Sequence, residues 1–366
     1  MYRYFIAILI TSVFFISCQD KPKETLNIGF VAGLTGKYSS LGRDIRDGFM
    51  LAFDEINYTI NDVKVNIIQN DDKQDPKVAK QIAQDLIKKD VKLIVGNATS
   101  SMTRITLNEL KDKNDFLLAS VTASASEFSK IDDNFIRIQV EHNEKRYGAL
   151  KEYIKKHNIK KVFYIFDDNN INYTKGYFEF FQDILLHTGG EKFVGTDTIK
   201  NGYKKNIEKL KNTDFDMVLI AANSFDTANL IQHLRIANIN KPVLISGWAN
   251  TNDFIEFGGK SIEGAIVSTG YYKYSNEKAY LDFVKKFKAK YNQEPSVFSL
   301  QGYEMAKILI KNLKKTTDIS KLKDLILKEK TYHGLQGDIT FNKYGDVNRK
   351  YFMMQIKNGK FKRITE

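Results

Sequence analysis

The sequence predicts an α/β fold of two similar lobes, each a parallel sheet with helices on both faces. Three observations lead there. Short apolar runs alternate with stretches whose apolar residues recur every three to four positions, as strand, helix, strand units require. The same block occurs twice along the chain. The length of 366 residues, 42% of them hydrophobic, supplies core enough for two domains, while four prolines and the lack of a Gly/Ser-rich run leave no flexible linker between them.

The first block opens with a strand over 26–31 and a helix that carries Leu41, Ile45, Phe49, Phe53 and Ile56 on one face. A strand over 63–68, a helix near 79–88, a strand over 91–95, a helix from about Ser101 and a strand over 116–120 complete it. In the second block, strands over 161–166, 192–196, 217–221 and 242–245 alternate with helices over 174–187, 204–212 and 226–237. A strand over 266–269, helices over 278–291 and 301–313, and a final strand pair at 339–341 and 351–356 follow. These last elements can join either lobe, so the chain is expected to cross between lobes more than once.

Residues 1–17 differ in kind. One charge, Arg3, precedes an apolar run from Phe5 to Ile16 that is short for a membrane span and ends in Ser17 before Cys18. This reads as a signal peptide cut before Cys18, the only cysteine, which then has no disulfide partner. The stretch FISC is similar to a bacterial lipobox with Phe15 in place of the usual leucine, so Cys18 is the expected lipidation site and 18–25 a lipid-anchored tether. The protein is then extracytoplasmic and held to a membrane through its anchor.

The formal charge of +12 does not point to nucleic acid, because the lysines are scattered among acids along helix faces with no basic helix or aromatic RNA motif. Nor does the sequence point to an enzyme. Its five histidines lack paired spacing, no nucleophile elbow is present, and no base is evident for a serine nucleophile. No cofactor or metal is expected; the Asp71, Asp72 and Asp75 cluster reads as a loop and helix start.

In open parallel sheets, ligands bind beyond the carboxyl ends of strands, where loops lead into helix N-termini. GNATSS, Gly96 to Ser101, lies at such an end, and its hydroxyls and backbone N–H groups suit a carboxylate at the positive end of a helix dipole. Thr99 or Ser100 could equally serve as a simple N-cap. The next strand end supplies Ser120, Thr122, Ser124 and Ser126, so two neighbouring rims are rich in hydroxyls. Neither has a phosphate-loop pattern.

Together with these loops, IGFVAGLTGKYSSLG (28–42), DDKQDPKVA (71–79), SASEF (124–128), YTKG (173–176), GLQGDITF (334–341) and YGD (344–346) follow in order a set of family motifs. The chain resembles, from about Leu26 onward, the leucine/isoleucine/valine-binding protein family, the amino-acid and amide receptors of ABC importers. That resemblance implies a type I periplasmic binding protein fold with a three-segment hinge, lobe 1 comprising 26–140 and 271–347 and lobe 2 comprising 141–270 and 348–366. It implies a small-molecule ligand with a carboxylate, an amino acid or a related compound, and importer permease subunits as partners. Ser100 and Ser101 would meet the carboxylate, with Thr122 and Ser124 from the second loop and Tyr173 closing from the other lobe. Tyr38 and Leu41 would form pocket wall.

Two positions depart from the branched-chain receptors, which have a glutamate where this chain has Trp248 and an aromatic where it has Asn223. Both remain expected ligand contacts, but the ammonium end of the pocket is put in doubt. Tyr173 and Trp248 are expected to sandwich an apolar or aromatic part of the ligand, or Asp168 or Asp226 to meet an ammonium. The same fold also serves sensors that report to a membrane signalling receptor, and the ligand could be an amide or aromatic acid.

Overall fold

The computed structural model describes residues 25–349 and 351–364; the signal peptide and Cys18 lie outside them. The first lobe is built on β1 (Thr25–Ala32), β2 (Thr59–Ile60), β3 (Val63–Asp71), β4 (Leu93–Gly96), β5 (Leu117–Ser120) and β6 (Phe135–Arg137). They order β2-β3-β1-β4-β5-β6, parallel except for the short β2. Its first helices are α1 (Ser39–Asp54), α2 (Pro76–Lys88) and α3 (Ser100–Leu110).

After α4 (Glu144–Lys156) comes the second lobe, with β7 (Val162–Phe166), α5 (Ile171–His187), β8 (Gly195–Thr198), α6 (Tyr203–Lys211), β9 (Met217–Ala221), α7 (Ser224–Ile236), β10 (Val243–Ile245), α8 (Asn252–Gly258) and β11 (Ile266–Thr269). The chain then forms α9 (Lys278–Tyr291), α10 (Val297–Leu313), α11 (Leu322–Glu329) and a small sheet of β12 (Thr331–Gly334), β13 (Gly337–Phe341) and β14 (Val347–Asn348). It ends with β15 (Phe352–Lys357) and β16 (Lys360–Arg363), which complete the sheet β16-β15-β11-β10-β9-β7-β8.

Side chains alternate across these strands, and both faces of the large sheet in each lobe are covered. Ile28, Phe30 and Ala32 of β1 enter one core cluster while Val31 enters another; in β7, Phe163 and Ile165 part in the same way from Val162 and Tyr164. Leu41, Ile45, Phe49 and Phe53 bury one face of α1 against α10, which returns to the first lobe late in the sequence. The two helices meet at glycines. A side chain at Gly48 would overlap the Ser299 carbonyl, and one at Gly302 the Ile45 carbonyl.

Three expectations are corrected. The strands at 339–341 and 351–356 do not pair with each other: β13 pairs with β12 and β14, while β15 pairs with β11 and β16. The strand expected over 192–196 begins at Gly195, where the lack of a side chain leaves room for the Phe163 ring, and Phe193 instead packs on Tyr164, Phe178 and Phe181. The helix expected from Gln301 starts at Val297, behind a capping box made by Ser296 and Ser299.

Candidate functional site

In the first lobe β3 and the short β2 lie on one side of β1 and β4 to β6 on the other, and in the second lobe β8 lies on one side of β7 and β9 to β11 on the other, so the winding reverses beside β1 and beside β7. Loops leaving the carboxyl ends of the central strands diverge there and leave a crevice. The crevices of the two lobes meet. Gln74 Nε2 donates to the Asn169 carbonyl at 3.1 Å, Asn169 Nδ2 to the Tyr38 hydroxyl at 2.8 Å, and Ser101 Oγ to Asn172 Oδ1 at 2.8 Å. Lys37 pairs with Asp226 at 2.8 Å, and Ser40 and Arg43 both reach Asp253.

Between these contacts lies a narrow pocket, lined from the first lobe by Leu41, Ala98, Thr99, Ser100, Thr122 and Ser124 and from the second by Asn170, Tyr173, Gly247 and Trp248. Gln139 and Phe298 complete the wall. Its loops are built rigidly. Gly96 has φ +143°, and a side chain there would overlap the Val31 carbonyl. Asn97 is buried and donates to Asp72 Oδ2 at 2.9 Å, while Asp72 Oδ1 accepts from the Gln74 N–H. Burial raises the Asp72 pKa above the usual carboxylate value. Asp71 accepts from the Leu34 and Lys73 N–H groups and the Thr35 hydroxyl, and Asp75 caps α2, so the acidic cluster is spent on loop backbone.

Ser100 opens α3. Its Oγ accepts from the Ser124 and Ala125 N–H groups, each at 3.2 Å, which occupies both lone pairs and leaves the hydroxyl proton to donate. Thr122 has the opposite polarity: it donates to the Ala98 carbonyl at 2.5 Å, so its oxygen is left to accept. Thr99 stands at the N-cap position without a capping bond, its hydroxyl donating to Gln74 Oε1 instead. The pocket thus offers a hydroxyl donor at a helix N-terminus, with no charged side chain among its lining residues.

Of the eight residues expected to contact ligand, Ser100, Thr122, Ser124, Tyr173 and Trp248 line this pocket. Tyr38 stands behind Trp248, stacked on the indole at 6.1 Å and 10°. Burial and the neighbouring Asp167 hold its phenol well above the ordinary pKa. Ser101 is set aside from the lining, its N–H donating to Asn170 Oδ1 and its hydroxyl bonded to Asn172. Asn223 is also set aside: it caps α7 through the Asp226 N–H and donates to Asp167 and Asp226.

The expected sandwich is a corner instead. Tyr173 meets Trp248 edge to face at 6.1 Å and 79°, and Tyr38 already covers one indole face. Asp226 is saturated by Lys37, Asn223 and Tyr203, and Asp168 faces Lys200 on a partly exposed loop. Asn170, Gln139 and Phe298 were not anticipated. Asn170 ends the polar run after an apolar strand, the signal that gave Ser100; Gln139 and Phe298 carry no such mark.

A sequence profile described as periplasmic binding protein matches residues 25–360. The Leu/Ile/Val-binding protein BraC3 of Rhizobium johnstonii is 23% identical over 340 residues, 90% of each chain. Among solved structures, the branched-chain amino acid transporter substrate-binding protein LivJ of Streptococcus pneumoniae, in complex with isoleucine, superposes with a TM-score of 0.80 at 23% identity, covering 92% of this chain and 98% of that one. A solute-binding protein of an ABC transporter from R. palustris, in complex with benzoate, gives 0.82 at 18%, covering 93% and 95%. With the profile spanning both lobes and the crevice between them, the chain belongs to the periplasmic binding protein family, in its type I leucine/isoleucine/valine-binding group.

Proposed function

We propose that the protein captures a small carboxylate between its lobes and delivers it to an ABC importer, held at the membrane by lipid on Cys18. The observation that carries this reading is the Ser100 hydroxyl, whose lone pairs are filled by two backbone N–H groups, so that it can only donate toward the pocket at the start of α3. A carboxylate suits that donor. The other end of the ligand meets Leu41, Phe298, Tyr173 and Trp248, and no acid lines the wall to pair an ammonium. Leaving a buried ammonium unpaired is costly. An acid with an apolar or aromatic body therefore fits better than an amino acid, and the benzoate-bound relative has the same fold.

Closure follows from the same geometry, because Tyr173 and Trp248 belong to the second lobe and reach a ligand on Ser100 only when the lobes meet. Calorimetric titration with leucine, isoleucine, phenylalanine and benzoate, on wild type and Ser100→Ala, tests the reading. Binding of at least one of these acids, weakened in the variant, is expected; equal affinity in both would remove Ser100 from the site.

A further inference from the structure

Two helices begin on opposite sides of the pocket, α3 in the first lobe and α5 in the second, and neither is capped by its own N-cap residue. Thr99 stands before α3 and Asn170 before α5, each without a side-chain capping bond. An asparagine in that position ordinarily accepts from an N–H two or three residues further along its own helix. Asn170 reaches across the cleft instead. Its Oδ1 accepts from the Ser101 N–H at 3.1 Å, and the Asn172 N–H donates in return to Ser101 Oγ at 3.2 Å. Each helix start is therefore completed by a side chain of the other.

This reciprocal pairing brings two positive helix ends to one place, each equivalent to about half an elementary charge. Ser100 and Asn170 both line the pocket there. Asn170 is 3% exposed. Because its Oδ1 is held by a backbone N–H, which can only donate, the amide has one orientation and Nδ2 is the group turned away from α3. That nitrogen has no partner among the described residues, and it is not sealed within the protein. A buried amide donor in such a place is costly unless something accepts from it. The Ser100 hydroxyl on the facing helix start is likewise left to donate.

We propose that Asn170 is a specificity-determining contact, its Nδ2 donating to one oxygen of a ligand carboxylate whose other oxygen accepts from the Ser100 hydroxyl. This rests on the reading that a carboxylate occupies the Ser100 end, and it adds what the second lobe recognises there. Tyr173 and Trp248 cover the body of the ligand, and Asn170 reads its head. A primary amide in place of the acid turns an N–H toward one of two donors, so the site selects acids against their own amides.

The test is calorimetric titration of the full chain with benzoate and leucine, each beside its amide, benzamide and leucinamide, on wild type, Asn170→Asp, Asn170→Ala and Ser100→Ala. Wild type should bind at least one of the acids, and bind it at least about tenfold more tightly than the amide. Asn170→Asp keeps the acceptor for the Ser101 N–H and exchanges the donor for an oxygen. It should weaken that acid roughly 10- to 150-fold, as for loss of a charge-assisted hydrogen bond, and bind the amide more tightly than wild type does. Asn170→Ala should lose affinity for the acid without that gain for the amide. Unchanged acid affinity in Asn170→Asp, or an equal loss for acid and amide, would overturn the proposal, and if Ser100→Ala still weakens the acid the Ser100 reading stands alone. Failure of wild type to bind either acid would overturn the proposal as well.

Discussion

Asp44→Asn makes a quantitative prediction about stability. Burial of this carboxyl, on α1, pushes its pKa up to about 7, against an ordinary value of 3.8. Below about pH 4 it is protonated in both the folded and the unfolded chain and contributes no pH dependence. Between about pH 4 and 7 the unfolded chain releases a proton that the folded chain keeps, so stability falls as pH rises. Each unit is about 1.4 kcal/mol, and roughly three units give about 4 kcal/mol as an upper figure, reached near pH 8. Asparagine carries no such penalty. The variant should therefore match wild type at pH 4 and be more stable by about 1 to 4 kcal/mol at pH 8. Urea unfolding followed by far-UV circular dichroism at the two pH values measures the difference, which cancels the titration of all other carboxylates. Fluorescence is the wrong probe, because the single tryptophan, Trp248, lies in the cleft and reports lobe opening as well. A variant equal to wild type at pH 8, or less stable there, would refute the reasoning.

Other predictions concern the pocket, the helix pair and the anchor. Ser100→Ala should weaken the carboxylate ligand about 10- to 150-fold and also cost about 1 to 3 kcal/mol of stability, since two buried N–H groups lose their acceptor; calorimetry and thermal unfolding read the two effects separately. Gly48→Ala should destabilise by about 3 kcal/mol or more, because the added methyl meets rigid backbone at Ser299; a melting temperature equal to wild type would contradict the close approach of α1 and α10. Lys37→Ala should shift the lobes toward opening by no more than about 1 kcal/mol, the lysine being 41% exposed, measurable as a small rise in the ligand's Kd. Cys18→Ala should leave the precursor uncut and unacylated, whereas a mature N-terminus downstream of residue 18 in mass spectrometry would exclude lipid anchoring.

Much of the fold is legible because a strand buried on both faces is a continuous apolar run, and β4, β7, β9 and the part of β1 from Ile28 onward are such runs. Edge and tail strands are less legible. β8 has the sequence GTDT and takes its place from Phe163 beneath it, and β13 and β15 belong to different sheets although both read as short strands. In the site, the position of Ser100 followed from a strand end and a helix start, both local features. What Ser101 does depends on a partner far away in sequence, Asn172, 71 residues on, whereas Asn223 is turned from the pocket by local bonds to Asp226 with a distant one to Asp167. Asp44 was illegible for another reason. On a helix where Arg43, Arg46 and Asp47 are its neighbours, nothing local separates a solvated acid from one whose Oδ2 is buried without a partner.

The contacts that join the lobes have a consequence for selectivity. Lys37 with Asp226, Arg43 and Ser40 with Asp253, Ser101 with Asn172 and Gln74 with Asn169 contain no ligand atoms, so they favour the shut form whatever occupies the cleft. If together they supply about 2 kcal/mol, the shut fraction of the free protein rises roughly thirtyfold, and the apparent Kd of any cargo falls by the same factor while that fraction is small. Every competitor gains equally, and discrimination between them does not improve. Under the proposed function, tight capture of a small acid would then come together with tolerance of its analogues and with a background of shut, cargo-free receptor that a transporter would have to ignore.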